Sequence, residues 1–561
     1  MSRSSAQYPG VTGDQANELG ARFECEADTS EVSSHRRRFE LAGICLLILL
    51  TIPARLIWIR ASLWLDEAWV ANAIQMPTIH QMLYYDRWAQ STPVLFMLLS
   101  RGIVAAAGAS EVTLRVLPWV SSLLASFVLF LAVRRVLSFP LATCVITLVS
   151  ADYWTIKYAQ QAKQYDTDLL VSAIFMWIIS APGNPHPGAR RILWICGVAL
   201  ALSFLSMPAM FWFPSIVLVL MFDTAERSGR LRTLFWPAVY RVLIPAAILA
   251  IGLAANYWFF ARPNHLDIVT KDWSTSYHAY LTSNPLPATI LRFIHSIGIL
   301  FVPQVAAVGY FIVLLIAAGA VQCLRHPRDA RSRTVALMGI LPIIVAMATS
   351  SLRLYPMLDY PRLIVWMLPS AALLLCYSIE PVTRRASLVF GSRVLNRMVY
   401  AGCVLIIGGS YLAMSRHPAM EGNRQMFTHL KQSWRPGDYL FVHGGLSEQY
   451  ALYARWLGWH PQKVYFGNTD WPCCSLMRES LATDPLARTL DEDVLSAVSK
   501  SRPGTLWMAL PDRWPGSPWS EQTVRDVDTL PLFLSKLDCR LEEGDHYGSV
   551  MLQRYGCEAL R

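Results

Sequence analysis

The sequence predicts a polytopic α-helical membrane protein with about eleven transmembrane helices and a C-terminal extracytoplasmic α/β domain. Of its 561 residues, 54% are hydrophobic and only 16% are charged, which excludes an ordinary soluble globular protein. The hydrophobic residues fall in discrete runs of about the length that crosses a bilayer, roughly 20 residues each. The net charge of +10 is spread over short basic clusters between these runs, so it indicates positive cytoplasmic loops and no nucleic-acid partner.

The N-terminal part of the chain is expected to be cytoplasmic. Residues 1–38 are polar, which predicts a disordered tail, and they end in Arg36-Arg37-Arg38 directly before the first apolar run, 39–59. That run ends in Ile57-Trp58-Ile59-Arg60, and not in the small residues at which a signal peptide is cleaved. We therefore expect a retained first transmembrane helix.

Charge counting decides which of the later apolar runs cross the membrane. Arg134-Arg135 should be cytoplasmic, so one crossing separates this pair from residue 60. The longer run 113–133 is the better span, and 93–109 should lie in the outer interface. Pro208 should divide the long run 191–222 into two helices. The predicted spans, which form a membrane module over 39–414, are 39–59, 113–133, 139–157, 168–181, 191–206, 208–222, 242–260, 304–323, 335–350, 363–379 and 398–414.

The first charged motif lies in the large outer loop, 60–112, that this topology creates. It reads Ser62-Leu63-Trp64-Leu65-Asp66-Glu67-Ala68-Trp69, so two adjacent carboxylates follow a membrane helix and are flanked by Trp side chains that favour the interface. Ionisable groups at membrane depth are costly, which makes this pair a candidate for function. A solvated loop with two ordinary acids is the alternative.

A second charged motif follows the third span on the same side, from Lys157 to Asp168. If it is helical, Tyr158, Gln161 and Tyr165 share one face, and Gln164 pairs with Asp168 four residues later. Lys163 is suited to hold a phosphate as a point charge, and Asp168 opens an apolar run in which a carboxylate is poorly solvated. A charged collar that only keeps two hydrophobic helices in place is the alternative.

The third motif runs from Ser351 through Tyr355-Pro356 to Arg362, at the outer end of the tenth predicted span. The guanidinium of Arg362 is able to clamp a phosphate with two hydrogen bonds. Snorkelling of the side chain to the interface explains the same position equally well.

In this order the motifs resemble those of the GT-C class of membrane glycosyltransferases, in the branch that contains protein O-mannosyltransferases and lipid A aminoarabinose transferases. The resemblance covers about residues 39–380. It is carried by four segments: Leu65-Asp66-Glu67-Ala68, Ser110-Glu111-Val112-Thr113-Leu114-Arg115-Val116-Leu117-Pro118, the segment from Tyr158 to Tyr165, and Tyr355-Pro356 with Arg362. Gln161 departs from the pattern, since relatives usually carry Glu there; Asp166 or Asp168 could supply the missing carboxylate.

The resemblance implies that a sugar is displaced from a polyprenyl-phosphate carrier by an acceptor hydroxyl on a glycan, lipid or protein, with inversion. It implies Asp66 as the base, with Glu67 as helper or acceptor-orienting group. The candidates for holding the donor phosphate are cationic or aromatic: Lys163, Arg362, Tyr165 and Tyr355. The positive charges of Lys163 and Arg362 could make a cofactor unnecessary. Mg²⁺ or Mn²⁺ shared by Asp66 and Asp168 is the alternative, because hard cations favour carboxylate ligands.

Two other functions remain open on the sequence alone. A transporter or lipid flippase of cell-envelope glycan precursors would explain the spans and the intramembrane charge. Such a protein should show internal repeats and acids deep within its spans, whereas this sequence has no obvious repeat and its acids cluster at one face. A sensor or scaffold whose outer domain binds a partner would leave Asp66 and Glu67 without a role.

From residue 415 to 561 the composition changes, and alternating strands and helices predict a small extracytoplasmic α/β domain. Strands are expected near 439–443, 463–467 and 504–510, helices at 446–457 and 489–500, and a strand pair over 539–557 around Glu542-Glu543-Gly544-Asp545. An oxidising compartment permits disulfides, and Cys539–Cys557 is the preferred pair. His443 is expected to be structural, and Cys473-Cys474 lacks the spacing of a zinc site.

Overall fold

The computed structural model describes residues 38, 40–85, 92–181, 189–225, 243, 246–247, 249–255, 258, 280–281, 285–302, 305–327, 329–358, 360–416, 422–466, 504–512 and 521–557. Several predictions concern other residues and lie outside this part of the chain. They are the disordered tail apart from Arg38, parts of the span 242–260, the Cys473-Cys474 pair and the helix 489–500.

The membrane part is helical. Its helices among the described residues are α1 (Glu40–Leu50), α2 (Leu65–Ile74), α3 (Ile79–Leu83), α4 (Val94–Ala107), α5 (Glu111–Val133), α6 (Phe139–Ser150), α7 (Tyr153–Ala159), α8 (Tyr165–Ser180), α9 (Ala189–Ser203), α10 (Phe213–Ala225), α11 (Leu286–Phe301), α12 (Ala306–Arg325), α13 (Ala330–Gly339), α14 (Leu341–Ser351), α15 (Pro361–Ile364), α16 (Leu368–Phe390) and α17 (Ser392–Arg416).

Five helical segments of the described chain are long and apolar enough to cross a membrane, which makes this an integral membrane protein. They are Glu111–Val133, Ala306–Arg325, Ala330–Ser351, Pro361–Phe390 and Ser392–Arg416. The helices α6 and α7 add a sixth candidate if the pair, bent by 53°, counts as one span. The predicted total of about eleven spans is therefore not confirmed.

Proline and a capping aspartate explain where the predicted spans are interrupted. The helix expected over 39–59 ends at Leu50 and gives way to turns and a short 3₁₀ helix, because Pro53 has no backbone N–H to donate. The span expected over 139–157 breaks at Asp152, whose carboxylate accepts from the N–H groups of Trp154 and Thr155 and caps α7. The division near Pro208 is confirmed: α9 ends at Ser203, and a 3₁₀ helix precedes α10.

The C-terminal part contains helices α18 (Asn423–Ser433), α19 (Ser447–Trp456) and α20 (Glu521–Ser535) and one sheet. The strands are β1 (Tyr439–Val442), β2 (Val464–Phe466), β3 (Thr505–Pro511), β4 (Cys539–Tyr547) and β5 (Val550–Cys557), in the order β2-β1-β3-β5-β4. Strand β1 pairs in parallel with β2 and β3, whereas β5 runs antiparallel to both β3 and β4. The first three predicted strands and the helix at 446–457 are confirmed.

The last hairpin confirms one prediction and corrects another. Cys539 and Cys557 form a disulfide at paired positions of β4 and β5, as expected from the sequence. The turn between these strands is at Gly548, which has a positive φ of 66°, and not around Glu542–Asp545. Those residues lie within β4, where a bulge follows Leu541.

Candidate active site

Helix α2 presents the two carboxylates of the first motif at its N-terminus. Trp64 has an extended backbone and precedes the helix, and Asp66 and Glu67 lie in the first turn, where the free N–H groups of a helix favour negative charge. All ten residues of α2 are buried. Because successive helical side chains point about 100° apart, the two carboxylates face different neighbours.

Glu67 faces the interior and is saturated with hydrogen bonds. Arg115 of α5 donates to both of its carboxylate oxygens, from Nε at 2.9 Å and Nη2 at 2.8 Å. The backbone N–H of Ala162 donates to Oε1 at 2.6 Å, and that of Trp64 donates to Oε2 at 3.3 Å. Glu67 is only 1% exposed, so it ties α2 to α5 and to the second motif.

Arg115 also organises the chain that leads into α2. Its Nη1 donates to the carbonyl oxygens of Trp58, Ile59 and Ala61, at 2.9, 3.2 and 2.7 Å. The sequence motifs include Arg115 but gave it no role. The signal that could have found it is an arginine near the start of a membrane helix, which needs a carboxylate partner to be tolerated when it is buried.

Asp66 faces the other two motifs. Its Oδ2 accepts a hydrogen bond of 2.8 Å from Nη1 of Arg362, at the start of α15. The Arg362 guanidinium also lies over the rings of Trp64 and Tyr360, at 5.9 and 5.5 Å from the ring centres. The side chain of Arg362 is 24% exposed and that of Asp66 is 8% exposed, so the arginine is the more accessible member of the pair.

The second motif is not one continuous helix, so the condition for its expected shared face is not met. Helix α7 ends at Ala159, a turn follows, and α8 begins at Tyr165. The amide of Gln160 stabilises this break, since it donates to the carbonyl of Ala54 at 3.1 Å and accepts from the N–H of Trp58. The rings of Tyr158 and Tyr165 still lie 4.9 Å apart, because the turn brings them together.

Lys163 lies inside this turn and is 1% exposed. Burial lowers the pKa of Lys163 to about 8, an effect that Asp66 and Glu67 oppose and that Arg362 reinforces. A lysine so placed is held among carboxylates and can lose its proton near physiological pH.

The remaining predicted residues lie near Tyr165. The Tyr165 side chain is 5% exposed and interacts with Arg362, Asp66 and Asp168. Tyr355 donates to the carbonyl of Leu363, and its neighbours include Asp168. The structure therefore groups Asp66, Lys163, Tyr165 and Arg362, and it groups Asp168 with Tyr355.

The expected pairing of Asp66 with Asp168 around a metal receives no support from the geometry. Asp168 is 5% exposed and lies beside Ser206. In the described part of the chain, one group of three side chains is arranged to hold an ion, and it contains neither aspartate. Asp166, the other candidate for the missing carboxylate, is fully buried beside Arg55 and does not replace Gln161 at the site.

The C-terminal domain contacts α2 through α19. Asn72 of α2 donates to the Glu448 carboxylate at 2.7 Å and to the Glu448 carbonyl at 3.0 Å. Arg455 donates to the Asn72 side-chain oxygen at 2.6 Å, and Trp456 donates to Gln75 at 3.0 Å. Sequence reasoning did not assign these contacts, which join residues more than 370 positions apart.

The segment just before α2 is fixed in the same way. The backbone N–H of Leu63 donates to the Tyr453 hydroxyl at 2.7 Å, and the Asn423 amide donates to the Leu63 carbonyl at 3.1 Å. Arg424 donates to Glu111 at the start of α5, at 2.9 Å. The position of Asp66 thus depends on residues of the C-terminal domain as well as on the membrane helices.

Comparison with solved structures shows that the chain has the fold of the GT-C class of membrane glycosyltransferases. It is similar to ArnT from Cupriavidus metallidurans bound to undecaprenyl phosphate, with 14% identity, 92% of this chain and 97% of that chain covered, and a TM-score of 0.51. The apo state of ArnT gives 12% identity, coverages of 93% and 98%, and a TM-score of 0.52.

The archaeal oligosaccharyltransferase AglB from Archaeoglobus fulgidus, in complex with an inhibitory peptide and a dolichol-phosphate, gives 12% identity, coverages of 84% and 69%, and a TM-score of 0.47. No protein-family model matches the chain, and comparison with curated proteins gave no match. The resemblance predicted from the motifs is confirmed for the fold, and the likeness to ArnT extends beyond residue 380 into the C-terminal domain.

Proposed function

We propose that the protein is a glycosyltransferase that moves a sugar from a polyprenyl-phosphate carrier to an acceptor hydroxyl, with inversion. The observation that carries this proposal is the convergence of Asp66, Lys163, Tyr165 and Arg362 from three distant motifs. One carboxylate beside two cations matches the needs of this reaction, which are a base for the acceptor and positive charge for the departing phosphate. The undecaprenyl phosphate bound to ArnT, which shares the fold, supports this class of donor.

Arg362 and Lys163 hold the donor phosphate in this mechanism. The guanidinium of Arg362 pairs with the Asp66 carboxylate, and its side chain is partly exposed. An incoming phosphate diester competes with Asp66 for the same donor groups, since arginine binds both anions through charge-assisted hydrogen bonds. Donor binding thus weakens the hold of Arg362 on Asp66 and makes that carboxylate a better base.

The transfer step follows from this arrangement. The acceptor oxygen attacks the anomeric carbon, its proton passes to Asp66, and the bond from that carbon to the phosphate oxygen breaks. The electron pair of that bond remains on the phosphate, where Lys163 and Arg362 stabilise the charge. Glu67 is already occupied by Arg115, so we assign it to positioning α2 and not to contact with the acceptor.

The two cations supply the positive charge in this mechanism, so the transfer needs no metal. The alternative, in which Mg²⁺ or Mn²⁺ bridges Asp66 and Asp168, makes a different prediction. Treatment with EDTA would then abolish transfer, and Mn²⁺ would restore it in the wild type but not in Asp168→Asn. An Asp168→Asn variant that responds to EDTA and Mn²⁺ as the wild type does supports stabilisation of the phosphate by Lys163 and Arg362 alone.

We propose the cytoplasmic (inner) membrane as the location, with a cytoplasmic N-terminus and an extracytoplasmic domain over 415–561. The Cys539–Cys557 disulfide supports this sidedness, because disulfides persist in oxidising compartments. A periplasm-dependent reporter such as alkaline phosphatase, fused after residue 561, should be active. Activity of a cytoplasm-dependent reporter at the same position would place every motif on the opposite side.

A transporter or lipid flippase is the competing function, and covalent chemistry separates the two. Purified protein should convert a panel of polyprenyl-phosphate sugars and acceptors into glycosylated acceptor and free polyprenyl phosphate. The variant Asp66→Asn should form neither product. Asp329→Asn is the matched control and should keep its activity, because Asp329 caps α13 and Asn caps helices equally well. Movement of labelled lipid across liposomes without any covalent change would favour the flippase.

A further inference from the structure

A second group of potential metal ligands lies in the C-terminal domain, away from the site described above. His429 of α18 and Glu543 and Asp545 of β4 bring one ligand atom each within 4.8 Å of one another. Glu543 and Asp545 point to the same face of β4, because side chains alternate along a strand. Helix α18 covers that face, and it directs His429 towards the two carboxylates.

Polar contacts link His429 to the side chains around it. Nδ1 of His429 lies 3.3 Å from Oδ2 of Asp545 and also contacts the hydroxyl of Tyr547. Tyr547 in turn lies 3.4 Å from Asp545. Two oxygen-bearing side chains, those of Asp545 and Tyr547, therefore approach Nδ1 of His429.

The ion pair of Glu543 with Arg554 uses one carboxylate oxygen, Oε2, and is longer than the ion pair of Glu542 with the same arginine. Arg554 approaches Glu542 at 3.1 Å but Glu543 only at 3.7 Å. The side chain of Glu543 is 43% exposed and that of His429 is 29% exposed, so an ion from solvent can reach the group.

The backbone already holds the two elements in place. The N–H of Gly422, just before α18, donates to the carbonyl of Tyr547 at 2.9 Å. A side chain at Gly422 would lie 2.8 Å from Cβ of Tyr547, so the close approach requires glycine there. An ion would bind to a preformed arrangement and would cross-link α18 to the edge strand.

We propose that His429, Glu543 and Asp545 form a binding site for a first-row divalent metal ion. One imidazole and two carboxylates without thiolate are a ligand set that suits Zn²⁺ or Mn²⁺, with water completing the coordination. The site stabilises the C-terminal domain against unfolding. It also fixes α18, whose Asn423 holds the segment before Asp66.

The test is metal binding by the full-length protein, purified without a polyhistidine tag, stripped with EDTA and titrated with ZnCl₂ or MnCl₂. Isothermal titration should show one ion per chain for the wild type, and the thermal midpoint should rise with the logarithm of free metal. The variants His429→Ala and Asp545→Asn should lose both effects, and the isosteric Asp545→Asn guards against simple misfolding.

The matched control is His546→Ala. His546 pairs with Asp512 from the neighbouring position of β4, so it points to the opposite face and lies outside the three-ligand group. This variant should bind the ion as the wild type does. The proposal is overturned if the wild type binds no more metal than His429→Ala, or if only His546→Ala loses the ion.

Discussion

Nη1 of Arg362 donates a 2.8 Å hydrogen bond to Oδ2 of Asp66, although 296 positions separate the two residues in the sequence. This contact joins the proposed base to the proposed phosphate ligand. A donor phosphate and Asp66 thus compete for one guanidinium, which couples donor binding to the release of the carboxylate. The order of events, donor first and proton transfer second, follows from that competition.

Replacing Arg362 should weaken donor binding. A hydrogen bond to a charged group contributes about 1.5–3 kcal/mol, so Arg362→Gln should raise the Kd of a polyprenyl-phosphate sugar by about 10- to 150-fold. The measurement is direct titration of the donor into purified protein. Arg384→Gln is the control, since Arg384 is an exposed cation of α16 that pairs with Glu380. Equal affinities in the two variants would reduce Arg362 to an interface anchor.

Donor affinity should fall as the pH rises through about 8, because Lys163 then loses the proton that attracts the phosphate. The groups that face Lys163 are Asp66, Glu67 and Arg362. A phosphodiester donor keeps its charge over this pH range, so a change in donor affinity arises from ionisation of the protein. Lys163→Arg should keep its affinity beyond about pH 9, since a guanidinium stays protonated. The same pH profile in the wild type and in Lys163→Arg would show that Lys163 does not bind the phosphate.

The pair of Glu67 and Arg115 should control folding more than chemistry. Glu67→Ala leaves the Arg115 charge buried without its carboxylate, which should lower the free energy of unfolding by about 3–5 kcal/mol. Denaturant unfolding in detergent measures this loss. The double variant Glu67→Leu, Arg115→Met should recover part of the stability, because it removes both charges. A stable Glu67→Ala protein without activity would instead place Glu67 in direct contact with a substrate.

The buried His443 should make the C-terminal domain sensitive to acid. Burial lowers its pKa from 6.5 to about 4, and its Nδ1 accepts from the N–H of Gly445. Below pH 6.5 the His443 side chain is protonated in the unfolded chain, whereas it stays neutral in the folded domain until the pH approaches 4. The stabilisation is therefore complete above pH 6.5 and is lost as the pH falls towards 4, by on the order of 3 kcal/mol. Thermal unfolding at about pH 7.5 and about pH 4.5 should show a smaller loss for His443→Asn; equal losses would contradict this assignment.

Local signals in the sequence were sufficient for much of the fold. Apolar runs predicted membrane helices, Pro208 predicted the break between α9 and α10, and the pairing of Cys539 with Cys557 followed from two expected strands. Single residues that end a helix or form a turn were not recognised from the sequence. Pro53 ends the first helix early, and the hairpin turns at Gly548 although Gly544 lies nearby in an acidic segment that also reads as a turn.

The candidate site was predictable as a set of residues but not as a set of contacts. The motifs contain Asp66, Lys163 and Arg362. No local sequence pattern indicates that Arg362 pairs with Asp66. None indicates that Arg115 pairs with Glu67. Such pairs depend on how distant helices pack. For the same reason the hydrogen bond between Asn72 and Glu448 was not predicted, because a contact between a loop helix and a later domain leaves no periodic pattern in either segment.

Asp66→Asn tests the central claim most directly, because it keeps the size and hydrogen bonding of the side chain but removes its basicity. Transfer at saturating donor and acceptor should fall by about 10²–10⁴-fold, the usual contribution of a general base. The donor should bind at least as tightly as in the wild type, because Arg362 no longer faces a competing carboxylate. Measured together, reduced turnover with intact donor affinity supports the mechanism. An Asp66→Asn protein that transfers sugar at the wild-type rate would contradict it.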